Sequence, residues 1–156
     1  MTIDYIFGKG VSGSLPVDNL RFTFSKRTGK IKSIYHNDEL LASMRSDGSI
    51  AITLFFARIL KKRNRFNGNC ITVKNGVEDF IALGLSVFSK HIIKCGDNIR
   101  RGSEVVILNF KGEIIAVGRA KISSKMMLVF KRGVAVKVRD SFHFIDIMEK
   151  DKCLRI

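Results

Sequence analysis

Three histidines and three cysteines are the residues of this chain best suited to chemistry, and their spacing argues against it. A metal shell needs thiolate or imidazole ligands brought together, usually as close pairs such as C-x-x-C. Cys70, Cys95 and Cys153 are widely separated, contain no C-x-x-C and have no nearby histidine that would complete a shell. They read as reduced, structural thiols, and neither metal nor cofactor is expected. Acid–base or nucleophilic catalysis needs a nucleophile with its base, or paired carboxylates. His36 falls at a hairpin tip, His91 in a basic segment and His143 near a strand start, and none sits in a catalytic or metal motif. The glycine-containing GKGVSG, Gly8 to Gly13, invites comparison with a phosphate loop. It lacks G-K-[ST], a preceding strand and a following amphipathic helix, and it reads as a turn. No catalytic residue is assigned.

Charge is the stronger signal. The 156 residues hold 28 Lys and Arg against 14 Asp and Glu, a formal net charge of +14. Such a field favours polyanions, nucleic acid before anionic membrane. Gly68 is preceded by 12 basic and 5 acidic residues, and 16 and 9 lie from it onward, so each half carries +7. The basic character is therefore not a tail on a neutral domain. No apolar run approaches the roughly 20 residues of a membrane span, and MTIDYIFGKG lacks the pattern of a signal peptide, so a cytoplasmic protein is expected.

The elements that position these cations can be read from periodicity. LRFTFS alternates apolar and polar residues as a half-buried strand does, RTGK supplies a turn, and IKSIYH and LLASMR follow, joined by Asn37 and Asp38. SIAIT makes a short strand, and LFFARILKKR a helix with Leu54, Phe55, Ile59 and Leu60 on one buried face and Lys61, Lys62 and Arg63 at its C-terminal end. The seam is KKRNRFNGNC, Lys61 to Cys70. Beyond it, ITV is a strand, and NGVEDFIAL a brief helix capped by Asn75 and closed at Gly84. Two apolar strands flank a two-residue Lys111-Gly112 turn. Ser123 caps SKMMLVF, Gly133 ends it, and VAVKVR closes the series with Val134, Val136 and Val138 set against Lys137 and Arg139. Short strands with glycine at the corners predict a small closed or partly closed barrel.

From LGLSVFSKH through IRRGSEVVILNFKGEIIAVGRAKISSKMM to GVAVKVR, the second half resembles a PUA domain, the RNA-binding module named for pseudouridine synthases and archaeosine transglycosylases. DYIFGKG and SKRTGKIKSIYHNDELLASMRSDGSIAIT resemble the small domain that precedes it in archaeal archaeosine tRNA-guanine transglycosylases. The resemblance implies an α+β fold. Residues 1–68 would form a small antiparallel sheet with a helix, residues 69–148 a PUA-like pseudo-barrel of short strands and short helices, and residues 149–156 a tail. Arg101 and Ser103 depart from the proline and aspartate usual in that turn, which is expected to loosen it. The large catalytic barrel of those enzymes, with its nucleophile and zinc site, has no counterpart in this sequence.

The resemblance also implies that Gly84, Ser86, Val87 and Phe88 border a groove for an acceptor stem and its 3′ end. Charge and position add Lys90, His91, Arg100, Arg101, Lys121, Lys125, Lys131, Arg132, Lys137 and Arg139 as the pool from which phosphate contacts are drawn, though not all can face one surface, and the cations of the closing strand are expected to face solvent. The expected function is a stand-alone, non-catalytic protein that holds RNA, tRNA first of all. One alternative is a detached subunit completing a separate catalytic subunit for tRNA modification, which would need an exposed apolar docking patch. Another is a factor in translation or ribosome maturation.

Overall fold

The computed structural model describes residues 4, 9–14, 18–62 and 67–141. They divide between Asn67 and Gly68 into two units. His143, Cys153, Arg63 and the tail at 149–156 lie outside the described residues.

In the first unit the period-two segments form β1 (Leu20–Phe24), β2 (Ile31–His36), β3 (Glu39–Met44) and β4 (Ile50–Ile52), an antiparallel sheet in that order. Asn37 and Asp38 take φ values of 48° and 65°, as a tight two-residue hairpin requires, and His36 pairs with Glu39 across them. Helix α1 (Leu54–Lys61) starts at Thr53. Its Oγ1 accepts the Phe56 amide N–H at 3.2 Å while its hydroxyl donates to the Leu40 carbonyl at 2.8 Å, so one side chain caps the helix and pins it to β3. The buried face is Leu54, Phe56, Ala57 and Leu60 rather than the expected Leu54, Phe55, Ile59 and Leu60. Small Ala57 takes a place on the sheet-facing stripe that bulk alone would not assign. Phe55 lies half-buried against His36, ring centroids 6.5 Å apart.

The glycine-containing segment is a turn followed by a 3-10 helix at Val11–Ser14. Its donors serve a carboxylate of the chain itself: the Ser12 hydroxyl and amide donate to Asp4 at 2.6 and 2.7 Å and hold that carboxyl below its usual range.

The second unit contains β5 (Cys70–Val73), α2 (Glu78–Ala82), β6 (Val87–Phe88), β7 (Ile92–Cys95), β8 (Glu104–Leu108), β9 (Ile114–Ala120), α3 (Ser124–Val129) and β10 (Val134–Ser141). The sheet runs β6-β10-β9-β8-β5-β7, antiparallel throughout except for the parallel pair β5 and β8. Its two outermost strands, β6 and β7, are joined by the three-residue turn Ser89–His91. So short a link brings both edges together, and the sheet curls into a nearly closed pseudo-barrel. Ile71, Val105, Ile107, Ala116, Ala135 and Val136 fill its interior. The fold is thus mixed α+β, as the sequence leads one to expect.

Local chemistry explains the corners. Helix α2 begins after Val77, not Asn75, and the Glu78 carboxylate turns back to accept the Gly76 N–H at 2.7 Å. At its end Gly84, with φ of 87°, donates to Ile81 while Leu85 donates to Phe80, the paired bonds of a left-handed helix stop. The β8–β9 turn is wider than Lys111-Gly112. It spans Asn109 to Glu113 because Asn109 Oδ1 accepts the Glu113 N–H and its Nδ2 donates to Glu113 Oε2. Ser103 does not leave its turn loose, since its Oγ accepts the Arg100 N–H at 3.0 Å. Ser123 holds the position before α3, with no hydrogen bond from its side chain to the helix.

Gly118, in the middle of β9, pairs with Val105 on one side and Val138 on the other. A Cβ there would collide with the Lys137 carbonyl and lie 2.9 Å from Val136 Cγ1. Gly118→Ala therefore forces β9 and β10 apart and is expected to cost about 2 kcal/mol of stability, read from the midpoint of urea unfolding.

Candidate nucleic-acid interface

Strand β6 is two residues long, and its pairing with β10 sets the geometry of the surface. Phe88 lies opposite Val134, and the Ser89 N–H donates to the Gly133 carbonyl at 3.1 Å. This places Phe88, Lys90 and His91 beside the exposed Lys131 and Arg132 that lead into β10. The Phe88 ring is 43% exposed and meets His91 edge-on, centroids 6.4 Å apart. Val87 is buried in the barrel, so only its backbone can face a ligand; Ser86 and Gly84 are half-buried.

His91 shows the electrostatics of this corner. Partial burial depresses its pKa below the ordinary 6.5, and the charges of Lys90 and Lys74 depress it further. Lys74 was not singled out from the sequence. It follows β5, and its amide donates to the His91 carbonyl at 2.8 Å, a neighbourhood created by the β5–β7 pairing.

A second group of cations surrounds the turn at Arg100–Ser103. Gly102, φ 88°, donates to Ala120, and the Ser124 N–H donates to Ile99, which draws Arg100 and Arg101 toward the Lys121–Lys125 segment. Arg119, also missed in the sequence, donates from Nε to the Gly102 carbonyl and pairs across β10 with Lys137. On its other side Arg119 stands opposite Glu104 of β8, so the ladder runs Lys137, Arg119, Glu104. From Ile114 to Arg139 there are seven cations and no carboxylate.

Arg139 is exposed, as expected of a cation on this strand, but its head group is already engaged. It sits where the β10 register shifts between Val138 and Asp140, and its guanidinium grips Glu104 of β8 with two contacts of 2.7 Å. The Glu104 side chain is only 2% exposed, and Arg139 keeps 33%. A buried carboxylate must be paired, so this arginine holds the barrel together before it can hold anything else. Lys90, Arg100, Arg101, Lys121, Lys125, Lys131, Arg132 and Lys137 are exposed.

For the other reactive groups, burial pushes the Cys95 thiol up to about 11, with Met127 Sδ at 3.5 Å, and Cys70 is buried in β5. Such thiols are poor nucleophiles. Among the described residues no group of three or more His, Cys, Asp or Glu could hold a metal ion, and no helix is long and apolar enough to cross a membrane.

A cation-rich pseudo-barrel with an exposed ring at its short strand, preceded by a four-stranded sheet and helix, defines a two-unit α+β protein of the nucleic-acid-binding kind. Residues 69–142 match the PUA domain, and residues 1–65 match the patch-forming domain C2 of tRNA-guanine transglycosylase. The second unit is a PUA domain, and the two together resemble the C-terminal region of archaeosine transglycosylases. The tRNA-guanine(15) transglycosylase of Methanothermobacter thermautotrophicus is 39% identical over 140 residues, 89% of this chain and 21% of that enzyme. The enzyme of the same name from Thermoplasma volcanium is 32% identical over 88% of this chain and 22% of its own length. The chain thus spans about a fifth of the curated relatives it matches. Among solved structures, a conserved PUA domain protein from Thermoplasma acidophilum superposes with a TM-score of 0.57 at 26% identity, covering 70% of this chain and 69% of that one. A hypothetical protein of Pyrococcus horikoshii shares the fold at a TM-score of 0.70 and 23% identity, over 92% and 90% of the two chains.

Proposed function

We propose that this chain binds structured RNA, tRNA first of all, in the cytoplasm, through shape and phosphate contacts and without chemistry of its own. The observation that carries this reading is the exposed Phe88 ring, edge-on to His91 and set among Lys90, Lys131 and Arg132, cations that face solvent. Phosphates take the cations, and an unpaired 3′ base stacks on the ring. The PUA match and the tRNA in the names of those relatives support it. If four to six phosphates are neutralised, log affinity falls against log salt with a slope of roughly −3 to −5. A filter-binding series with tRNA tests this, and a flat series overturns it.

His91 adds a pH dependence. Its folded pKa lies below the unfolded value of 6.5, so the neutral ring contributes stability that is present above pH 6.5 and lost as pH falls through the folded value. A bound phosphate offsets the repulsion from Lys90 and Lys74 and favours the protonated ring. RNA affinity is therefore expected to rise as pH falls below about 6.5, and His91→Gln to abolish that rise.

A second reading makes the chain the tRNA-holding subunit of a transglycosylase whose catalytic part is another polypeptide. The exposed Met126, Leu128, Val129 and Phe130 along α3 and just beyond favour it, because they offer an apolar patch for docking. Co-purification, followed by a base-exchange assay with and without this chain, separates the two readings.

A further inference from the structure

The β1–β2 hairpin of the first unit carries a charge pattern that the PUA surface does not account for. Between Leu20 and His36 there are five cations, Arg21, Lys26, Arg27, Lys30 and Lys32, and no carboxylate. Arg21 is engaged, lying 4.8 Å from the Tyr35 ring centroid and 3.2 Å from Asp38. The other four are exposed, and none forms an ion pair with a described residue.

Their platform is well built. The Ser25 N–H donates to the Lys30 carbonyl and the Gly29 N–H to the Ser25 carbonyl, both at 2.8 Å, with Gly29 at φ 67°. The turn satisfies its own backbone, so the tip cations project from a defined hairpin. At its neck Phe24 is 60% exposed, paired with Ile31. Cations at a hairpin on the edge of a sheet commonly keep other strands away. That role gives no reason for a bare aromatic ring beside them. A ring flanked by cations that no described carboxylate engages suits a strand that offers phosphates and unpaired bases together.

We propose that this hairpin is a second RNA-contacting element: Lys26, Arg27 and Lys30 take phosphates, and Phe24 stacks on an unpaired base. The proposal rests on the RNA-binding reading above and extends it to the first unit. It is tested on the full chain by filter binding over a salt series, with an RNA duplex of mixed sequence and the same duplex carrying a single-stranded 3′ extension. A Lys131→Ala/Arg132→Ala/Lys137→Ala chain serves as reference. Lys26→Ala/Arg27→Ala/Lys30→Ala is expected to lower the salt slope by roughly 2 and the affinity about tenfold for both probes. Phe24→Leu keeps the side chain apolar and removes the ring. It is expected to weaken only the extended probe, about tenfold.

An unchanged slope in the tip variant, alongside a reduced slope in the reference chain, overturns the hairpin proposal and leaves the PUA reading standing. Failure of the unaltered chain to bind either probe overturns both. Equal loss of both probes with Phe24→Leu, accompanied by a lowered melting temperature, assigns the ring to packing and overturns its stacking role.

Discussion

Arg139→Ala lowers the unfolding free energy by about 3 kcal/mol, whereas Lys137→Ala, two residues earlier on the same strand, changes it by less than about 0.5 kcal/mol. The contrast follows from what each side chain leaves behind. Without Arg139, a carboxylate that is 2% exposed keeps its charge inside the barrel wall with its two short contacts gone. The remaining exposure of Arg139 places the loss at the lower end of the range for broken buried pairs. Glu104→Gln combined with Arg139→Ala removes the buried charge that has lost these two contacts and is expected to recover part of the stability, so the double variant is less damaged than the sum of the single ones. Urea unfolding of the four chains measures this cycle. Strict additivity would mean that the two residues do not work as a pair.

Lys131→Ala/Arg132→Ala/Lys137→Ala leaves the melting temperature where it was and weakens tRNA binding by at least tenfold at about 0.1 M salt. All three side chains are exposed, so their removal opens no cavity and strands no buried group. The loss should shrink as salt rises, because each phosphate contact derives its strength from displaced counterions, and the salt slope should fall by roughly 2 to 3. A collapse in melting temperature would assign these cations to the fold. Unchanged affinity would move the interface elsewhere. Arg139 does not belong in this set, since its loss would confuse unfolding with weakened binding.

What was legible in the sequence was what neighbours in the chain decide. The β1–β2–β3 meander, the Asn37-Asp38 hairpin and the helix stop at Gly84 each follow from alternation or from a residue that tolerates positive φ. Short strands with glycine at the corners led to the barrel, and the resemblance to a PUA domain agreed with it. Less legible were features made by distant partners. Glu104 and Arg139 are 35 positions apart, and an alternating strand looks the same whether its outer arginine meets water or a carboxylate. Lys74 reaches His91 only through the β5–β7 pairing, and Arg119 meets Lys137 only through the β9–β10 register. The face of α1 was misjudged at Phe55 and Ile59 because bulk was weighed above the small Ala57 that lies against the sheet.

Strand β5 is the first of its sheet to be made, yet it occupies an inner place beside β8, while β10, the last described, must reach β6 before the ring is complete. A growing polypeptide can pair β5 with β7 early, but the wall stays open until Ser141 has left the ribosome and its hydroxyl can donate to the Ala82 carbonyl at 2.6 Å. Contacts of such long sequence separation form slowly. Synthesis of this chain therefore passes through an interval in which its apolar interior faces water, and a stop codon just before β10 would make that interval permanent, yielding a product fit for degradation.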